Sequence, residues 1–397
     1  MLIGIPRERA DGENRVAIIP SGVPELLEAG YEVIVESGAG MAAHFSDEEY
    51  RSCGAIIADD AESLYRQTNV ILKVRAPDAE EAGLIQPEST LICILEPWNK
   101  RDLVRQLAER SVRTFALDLV PRTSRAQSMD VLSAMAGISG YRAVLSGAMA
   151  LPRYFPMLMT AAGTIHPARV LVIGAGVAGL MAIATARRLG AVVEAYDLRP
   201  EVREQVESLG ADFIDIPVPE TDATGSSGYA KAQSDAFYAA QRQHLSDCVA
   251  RADLVITTAA VPGKPAPKLI DQETIHRMKR GSVIVDLAAD RGGNVEGTVL
   301  NRKVDVDGVT LVGHVNHPAR VPVHASQLLT RNITGFLLNM TKEGQLVPDR
   351  DDDIVAATLI TSEGRIFFDD DPKPSAGVAS TQENNEPDIN IKEKDTV

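Results

Sequence analysis

Residues 169–190, RVLVIGAGVAGLMAIATARRLG, limit the fold of this chain more than any other stretch. An apolar run, Arg169–Ile173, reads as a buried strand. Gly174, Gly176 and Gly179 then follow in GxGxxG spacing, and an Ala-rich run without glycine opens a helix. Glycines in this spacing recur by chance, but strand, turn and helix together form one half of a nucleotide-binding α/β unit. Gly174 permits the tight turn, Gly176 admits the close approach of a pyrophosphate, and Gly179 lets helix and strand pack. The helix N-terminus then faces the anion. The alternative is a glycine-tolerant turn in an α/β domain that binds nothing.

The next apolar run, AVVEAYD, ends at Asp197, eighteen residues past Gly179. A carboxylate there accepts hydrogen bonds from an adenosine ribose and repels a 2'-phosphate, which predicts NAD over NADP. Arg199, two residues on, argues the other way, because a guanidinium accommodates that phosphate. Asp197 carries more weight because it occupies the strand end itself.

The rest of the chain repeats the same alternation. LIGIP, YEVIVES, AIIAD, NVILKV, STLICIL and FALDLVP are strand-like runs separated by helical patterns, which imply a first, mostly parallel sheet. Residues 124–153 have helical spacing and read as a long connecting helix. RVLVIGAGVAG, AVVEAYD, DFIDIPV, DLVITTA, SVIVDLA and VTLVGH then supply six strands of a second, doubly wound sheet. After His317, SQLLTRNITGFLLNMTKE is helical and is expected to return to the first unit. The expected fold is therefore α/β, with two Rossmann-like domains joined by long helices and the nucleotide in the second. The expected domains are 1–135 plus 320–368, 136–319, and a disordered acidic tail or linker at 369–397, a stretch of acids, Pro, Ser and Asn with almost nothing to bury.

Composition excludes several partners. With 40 Lys plus Arg against 55 Asp plus Glu, the net charge is -15, a field that repels nucleic acid and anionic headgroups. The longest apolar run, 170–186, is interrupted by three glycines and reads as strand plus helix, so no direct membrane insertion is expected. Cys53, Cys93 and Cys248 are too few and too widely spaced for a disulfide framework or a zinc cluster. Of the seven histidines, His44, His166, His244, His276, His314, His317 and His324, only His314 and His317 are close in sequence, and no third ligand follows them. No metal is expected, and a reducing, cytoplasmic compartment fits.

With the turn in hand, further stretches become recognisable: IGIPRE with Arg15, ILKV, PRTSRAQSMD, YDLRPE, GYAK, TTAAVPGKPAPKLI and GSVIVDLAADRGGN. From Met1 to about Asp369 the chain resembles the NAD(H)-binding component of proton-translocating NAD(P) transhydrogenases. The resemblance implies a Re/Si-specific transhydrogenase activity with NADH bound here and NADP on a partner subunit. It also implies membrane-spanning partner subunits, a homodimer, and a peripheral location on the inner face of the cell membrane. It assigns Arg122, Gln127 and Asp130 to the nicotinamide end, where a cation, an amide and an acid can orient a carboxamide and ribose, and where Asp130 could fix Arg122. The alternative reading of that loop is a cap at the start of the long helix. Ser133, Val177, Ala178, Leu198 and Arg199 join the glycines and Asp197 in the implied NAD site, as do Gln241 and Ala260. Residues 223–231, ATGSSGYAK, are small, with Gly225 and Gly228 as hinges. The resemblance implies a loop closing over the nucleotide with Tyr229 as its lid, excluding water from a transferable hydride.

The architecture is similar to alanine dehydrogenase as well, with Arg15 and Lys73 in place for a substrate carboxylate and carbonyl and Asp290 at a matching aspartate position. Oxidising an amino acid requires a positioned base, usually histidine. Where that histidine is expected, this chain has Glu96, Pro97 and Trp98. Passing a hydride between two nicotinamides requires only proximity and orientation. The alternatives are an amino acid dehydrogenase and a protein that only senses NAD or scaffolds through it.

Overall fold

The computed structural model of the chain describes residues 1–215, 235–259, 265–368 and 392–393, with 235–241 and 392–393 described by their backbone alone. It divides into two compact units, residues 1–135 with 318–384 and residues 136–317 with 385–397.

In the first unit, β1 (Leu2–Ile5), β2 (Glu32–Glu36), β3 (Ile56–Ala58), β4 (Val70–Arg75), β5 (Thr90–Ile94) and β6 (Arg113–Ala116) lie parallel in the order 3-2-1-4-5-6. β5 is buried throughout and β4 at all but its last residue, as strands covered on both faces must be. That is why they read as unbroken apolar runs. Four described strands of this unit escaped the sequence pattern: Leu359–Ser362 adds antiparallel to β6, Arg365–Ile366 closes that edge, and Thr341–Lys342, expected as helix, pairs antiparallel with Gln345–Leu346 once helix Pro322–Asn339 has ended.

The second unit opens with a small hairpin, β7 (Leu158–Thr160) and β8 (Gly163–Ile165). Its main sheet comprises β9 (Arg169–Ile173), β10 (Val192–Tyr196), β11 (Asp212–Phe213), β12 (Leu254–Thr257), β13 (Val283–Asp286), β14 (Lys303–Val306) and β15 (Val309–Val312). Six of these run parallel in the order 11-10-9-12-13-15, the same winding as the first unit, and β14 is antiparallel to β15. Alternate residues of β9 point to opposite faces. Val170 and Val172 pack with Ile183 and Ala186 of helix Val177–Arg188, whereas Leu171 and Ile173 pack with Leu245 and Val249.

Two expectations need correction. The long helix covers Val131–Ala150, not 124–153, because a short 3-10 turn at Gln127–Met129 precedes it and Pro152 follows it. Of the segment expected to be a disordered tail, Lys392–Glu393 forms a strand antiparallel to β14, whose outer edge otherwise leaves backbone groups unpaired. The rest of 369–397 lies outside the described residues.

Candidate functional site

In an open α/β sheet, ligands bind beyond the carboxyl ends of the strands where the strand order reverses. In the second unit that point lies between β9 and β12, and the GxGxxG turn leaves β9 there. Each glycine has a distinct physical reason. Gly174 has φ +100, and a Cβ on it would sit 2.4 Å from Thr258 Oγ1. A Cβ on Gly179 would come within 1.8 Å of the Gly174 carbonyl oxygen. A Cβ on Gly176 would meet nothing within 4 Å, so that side of the turn is open space. Gly176 is also the N-cap of helix Val177–Arg188 and supplies no capping side chain. The first N–H groups of that helix are therefore donors directed at whatever fills the opening, which suits a pyrophosphate. Beside the turn, Ala178 is half-buried, and Val177 and Leu198 present exposed apolar side chains.

Asp197 sits at the tip of β10 and ties the turn together. Its carboxylate accepts a hydrogen bond from the Ala175 N–H at 2.7 Å and one from the Arg199 N–H at 2.9 Å. The Arg199 guanidinium closes on it, with Nε at 3.1 Å and Nη2 at 3.2 Å. Burial alone would push this carboxyl up, but the Arg199 guanidinium and the two backbone donors outweigh it and hold it below the ordinary aspartate value. The two residues that argued for different cofactors are thus one ion pair, with Arg199 held by the carboxylate that would repel a 2'-phosphate.

The first unit carries the other group of expected residues. Arg122 and Gln127 are exposed on the 121–130 loop. Asp130 accepts from the Ser133 N–H at 2.9 Å and from the Ser133 hydroxyl at 2.5 Å, which caps the long helix. Asp130 therefore pairs with Ser133 and not with Arg122, which makes no ion pair among the described residues. Ser133 acts here on the helix start. The loop presents an exposed cation and an amide beside a fixed carboxylate.

The reversal point of the first unit, between β1 and β4, is filled by charges that satisfy one another. Lys73, 1% exposed at its side chain, lies 2.7 Å from Glu81 and 3.7 Å from Glu8. Glu8 also accepts from the Val74 and Arg75 N–H groups, and Tyr65 donates to Glu81. Arg15 forks onto Glu13 at 2.7 and 2.6 Å, and Arg75 reaches the same carboxylate at 3.5 Å. Desolvation works against the Lys73 ammonium, but Glu8 and Glu81 outweigh it and raise its pKa. Burial raises the pKa of Glu8, against the pull of Lys73. At the end of β5, Glu96 stands in the left-handed region at φ +53, with its N–H bonded to Asp118 at 3.0 Å. Asp290 is exposed in the turn Ala289–Arg291 that follows β13.

Gly225, Gly228, Tyr229 and Ala260 lie outside the described residues, as does the side chain of Gln241. Four residues that shape the second crevice were not singled out by the sequence. A Cβ on Gly140 would come within 2.0 Å of the Ala178 carbonyl oxygen, and one on Gly147 within 2.5 Å of Leu254. Seven residues apart, the two share one face of the long helix, and that spacing of glycines was the available signal. Thr258 donates to the Gly174 carbonyl at 3.1 Å. Asp286 is buried and accepts from Thr257, Ala288 and Val295, fixing the loop beyond β13. Among the described residues no group of three or more His, Cys, Asp or Glu side chains could hold a metal ion, and no helix is long and apolar enough to cross a membrane.

Residues 4–139 match the model of the alanine dehydrogenase/PNT N-terminal domain, and residues 143–369 that of the C-terminal domain. The chain is 42% identical over 386 residues to the NAD(P) transhydrogenase subunit alpha of Cereibacter sphaeroides, covering 96% of this chain and 74% of that one. It is 31% identical over 377 residues to an alanine dehydrogenase of Mycobacterium tuberculosis, covering 92% and 95%. A crystal structure of a transhydrogenase from Sinorhizobium meliloti superposes with a TM-score of 0.85 at 41% identity, over 92% of this chain and all of the other.

Proposed function

The chain belongs to the alanine dehydrogenase/PNT family, and from that premise we propose that it is the NAD(H)-binding component of a proton-translocating NAD(P) transhydrogenase. It binds NADH at the GxGxxG crevice and passes a hydride directly to NADP+ held on a partner subunit. A separate membrane subunit couples that transfer to proton movement. The protein works as a homodimer, peripheral on the inner face of the cell membrane through its partners.

The observation that carries this reading is a nucleotide crevice shaped for a dinucleotide together with the lack of a histidine at residues 96–98, at the end of β5. Glu96, Pro97 and Trp98 stand where an amino acid dehydrogenase needs an imidazole, and Lys73 and Arg15 are held by their own carboxylates. Bound NADH supplies the hydride, and nothing else in the reaction changes protonation at the reacting carbons. The residues of the chain are left with orientation. The uncapped helix N-terminus and the glycines hold the pyrophosphate, Asp197 takes the ribose hydroxyls, and Arg122 with Gln127 orients the carboxamide. Asp130, tied to Ser133, fixes the loop at the helix start. Orientation of this kind is where hydride transfer gains most of its rate.

Fluorescence titration tests the coenzyme assignment. NADH is expected to bind about tenfold or more tightly than NADPH, a difference of about 1.4 kcal/mol or more. Asp197→Ala is expected to narrow that ratio, because it releases Arg199 toward the 2'-phosphate while loosening the turn for NADH. Equal affinities in the unaltered protein would contradict the assignment. So would steady formation of NADH from NAD and L-alanine, which would favour the amino acid dehydrogenase.

A further inference from the structure

Most of the 121–130 loop is held in the first unit by ordinary means. Ala126 and Met129 are buried, and Asn332 donates from Nδ2 to the Ser128 carbonyl at 2.6 Å. Residues 122–125, which carry Arg122, are exposed, and their backbone is closed by short turn bonds: the Thr123 N–H to the Pro121 carbonyl at 2.9 Å, the Ala126 N–H to the Thr123 carbonyl at 3.1 Å and the Gln127 N–H to the Ser124 carbonyl at 3.4 Å. Among the described residues, one side chain reaches out of this stretch to the scaffold. Arg125 places Nη1 2.6 Å and Nη2 3.0 Å from the two oxygens of Asp352, and Nη2 also contacts Asp353. Asp352 is fixed independently, because its Oδ1 accepts from the Ile354 and Val355 N–H groups at 2.8 and 3.2 Å and caps helix Asp353–Thr358.

We propose that Arg125 is a positioning residue for hydride transfer, clamping the segment that carries Arg122 to Asp352 and Asp353 so that the guanidinium of Arg122 meets the nicotinamide end in one geometry. This rests on the function proposed above. A single exposed ion pair contributes about 0–1 kcal/mol to stability. A planar fork on a carboxylate that is already oriented fixes direction as well as distance. The Arg125 guanidinium, with the two helix N–H groups, holds the Asp352 carboxyl down at about 2, so the clamp stays charged at any pH near neutrality. The contribution is to geometry, and a misplacement of about 1 Å at a reacting site can slow a reaction on the order of 100-fold.

The test uses the complete complex with its NADP-binding and membrane subunits. Arg125→Gln is expected to slow hydride transfer by about 10- to 100-fold while leaving the NADH dissociation constant and the melting temperature unchanged. Amide hydrogen exchange at 122–125 should rise. Asp352→Asn keeps a capping acceptor but removes the charge, so it should reproduce the defect, and the double variant should be no slower than either single one. Arg125→Lys keeps the charge without the fork and should restore only part of the rate. An unchanged transfer rate in Arg125→Gln would overturn the clamp. So would a parallel fall in NADH affinity, melting temperature and rate, which marks a structural bridge. A wild-type complex with no transfer at all would contradict the proposed function itself, and the clamp with it.

Discussion

Gly179→Ala is expected to weaken NADH binding on the order of 100-fold or more, about 2.7 kcal/mol. The added methyl would lie 1.8 Å from the Gly174 carbonyl oxygen, a backbone atom that cannot rotate away. Helix Val177–Arg188 must therefore shift off β9, and forced shifts of this kind cost about 1–3 kcal/mol, occasionally more. The helix carries the uncapped N–H groups that face the pyrophosphate, so binding falls along with stability. Gly176→Ala separates the two effects. Its methyl meets no protein atom, and the φ of -78 at Gly176 is open to alanine. This variant should melt like wild type yet bind NADH weakly, because it occupies the space a phosphate needs. Titration of NADH into both variants, alongside thermal melts, checks the pair; wild-type affinity in either would show that the turn does not hold the dinucleotide.

Lys73→Met should destabilise the first unit by about 3–5 kcal/mol, because Glu8 and Glu81 are left buried without their shared cation. The pH dependence follows from the shifts. In the wild type the raised pKa of Lys73 contributes stability that is fully present below 10.5 and lost as pH rises through the higher folded value. The Glu8 carboxyl, raised above 4.5, opposes folding progressively as pH rises past that value, and removal of Lys73 widens this penalty. The variant should therefore be closest to wild type near pH 5 and furthest from it near pH 8. Urea unfolding at both values reads this directly through Trp98, the only tryptophan, which lies in the first unit against Phe368. Hydride transfer at 25 °C should survive the substitution, provided the unit stays folded. In an amino acid dehydrogenase, where Lys73 holds substrate, turnover would vanish instead.

The sequence disclosed most clearly what is decided locally. The core strands of both sheets are apolar runs because both faces are covered, and of the three glycines Gly179 answers a steric demand only five residues away in the chain. The β14–β15 hairpin was less visible, since KVDV carries charge. Its turn signal is nonetheless present: Asp307 and Gly308 both stand in the left-handed region, at φ 51 and 88, as a two-residue hairpin turn requires. Partners distant in sequence could not be read at all. That Lys73 would be neutralised by Glu8, Asp352 clasped by Arg125, or Gly140 pressed against Ala178 depends on the folded chain. Asp197 and Arg199 carry opposite implications as letters in a sequence, and only the folded turn joins them in one ion pair. At Asp130 the sequence left a ligand contact and a helix cap open, and the hydrogen bonds to Ser133 supply the cap.

The central claim is that a hydride passes straight from one dinucleotide on this chain to another on a partner. The most direct test is to load the chain with NADH deuterated on the transferred face, add the NADP-binding partner with NADP+, and analyse the product by mass spectrometry. The account predicts deuterated NADPH with no label in water, and no turnover of L-alanine by the chain alone. Label lost to solvent, or NADH consumed without labelled NADPH, would contradict it.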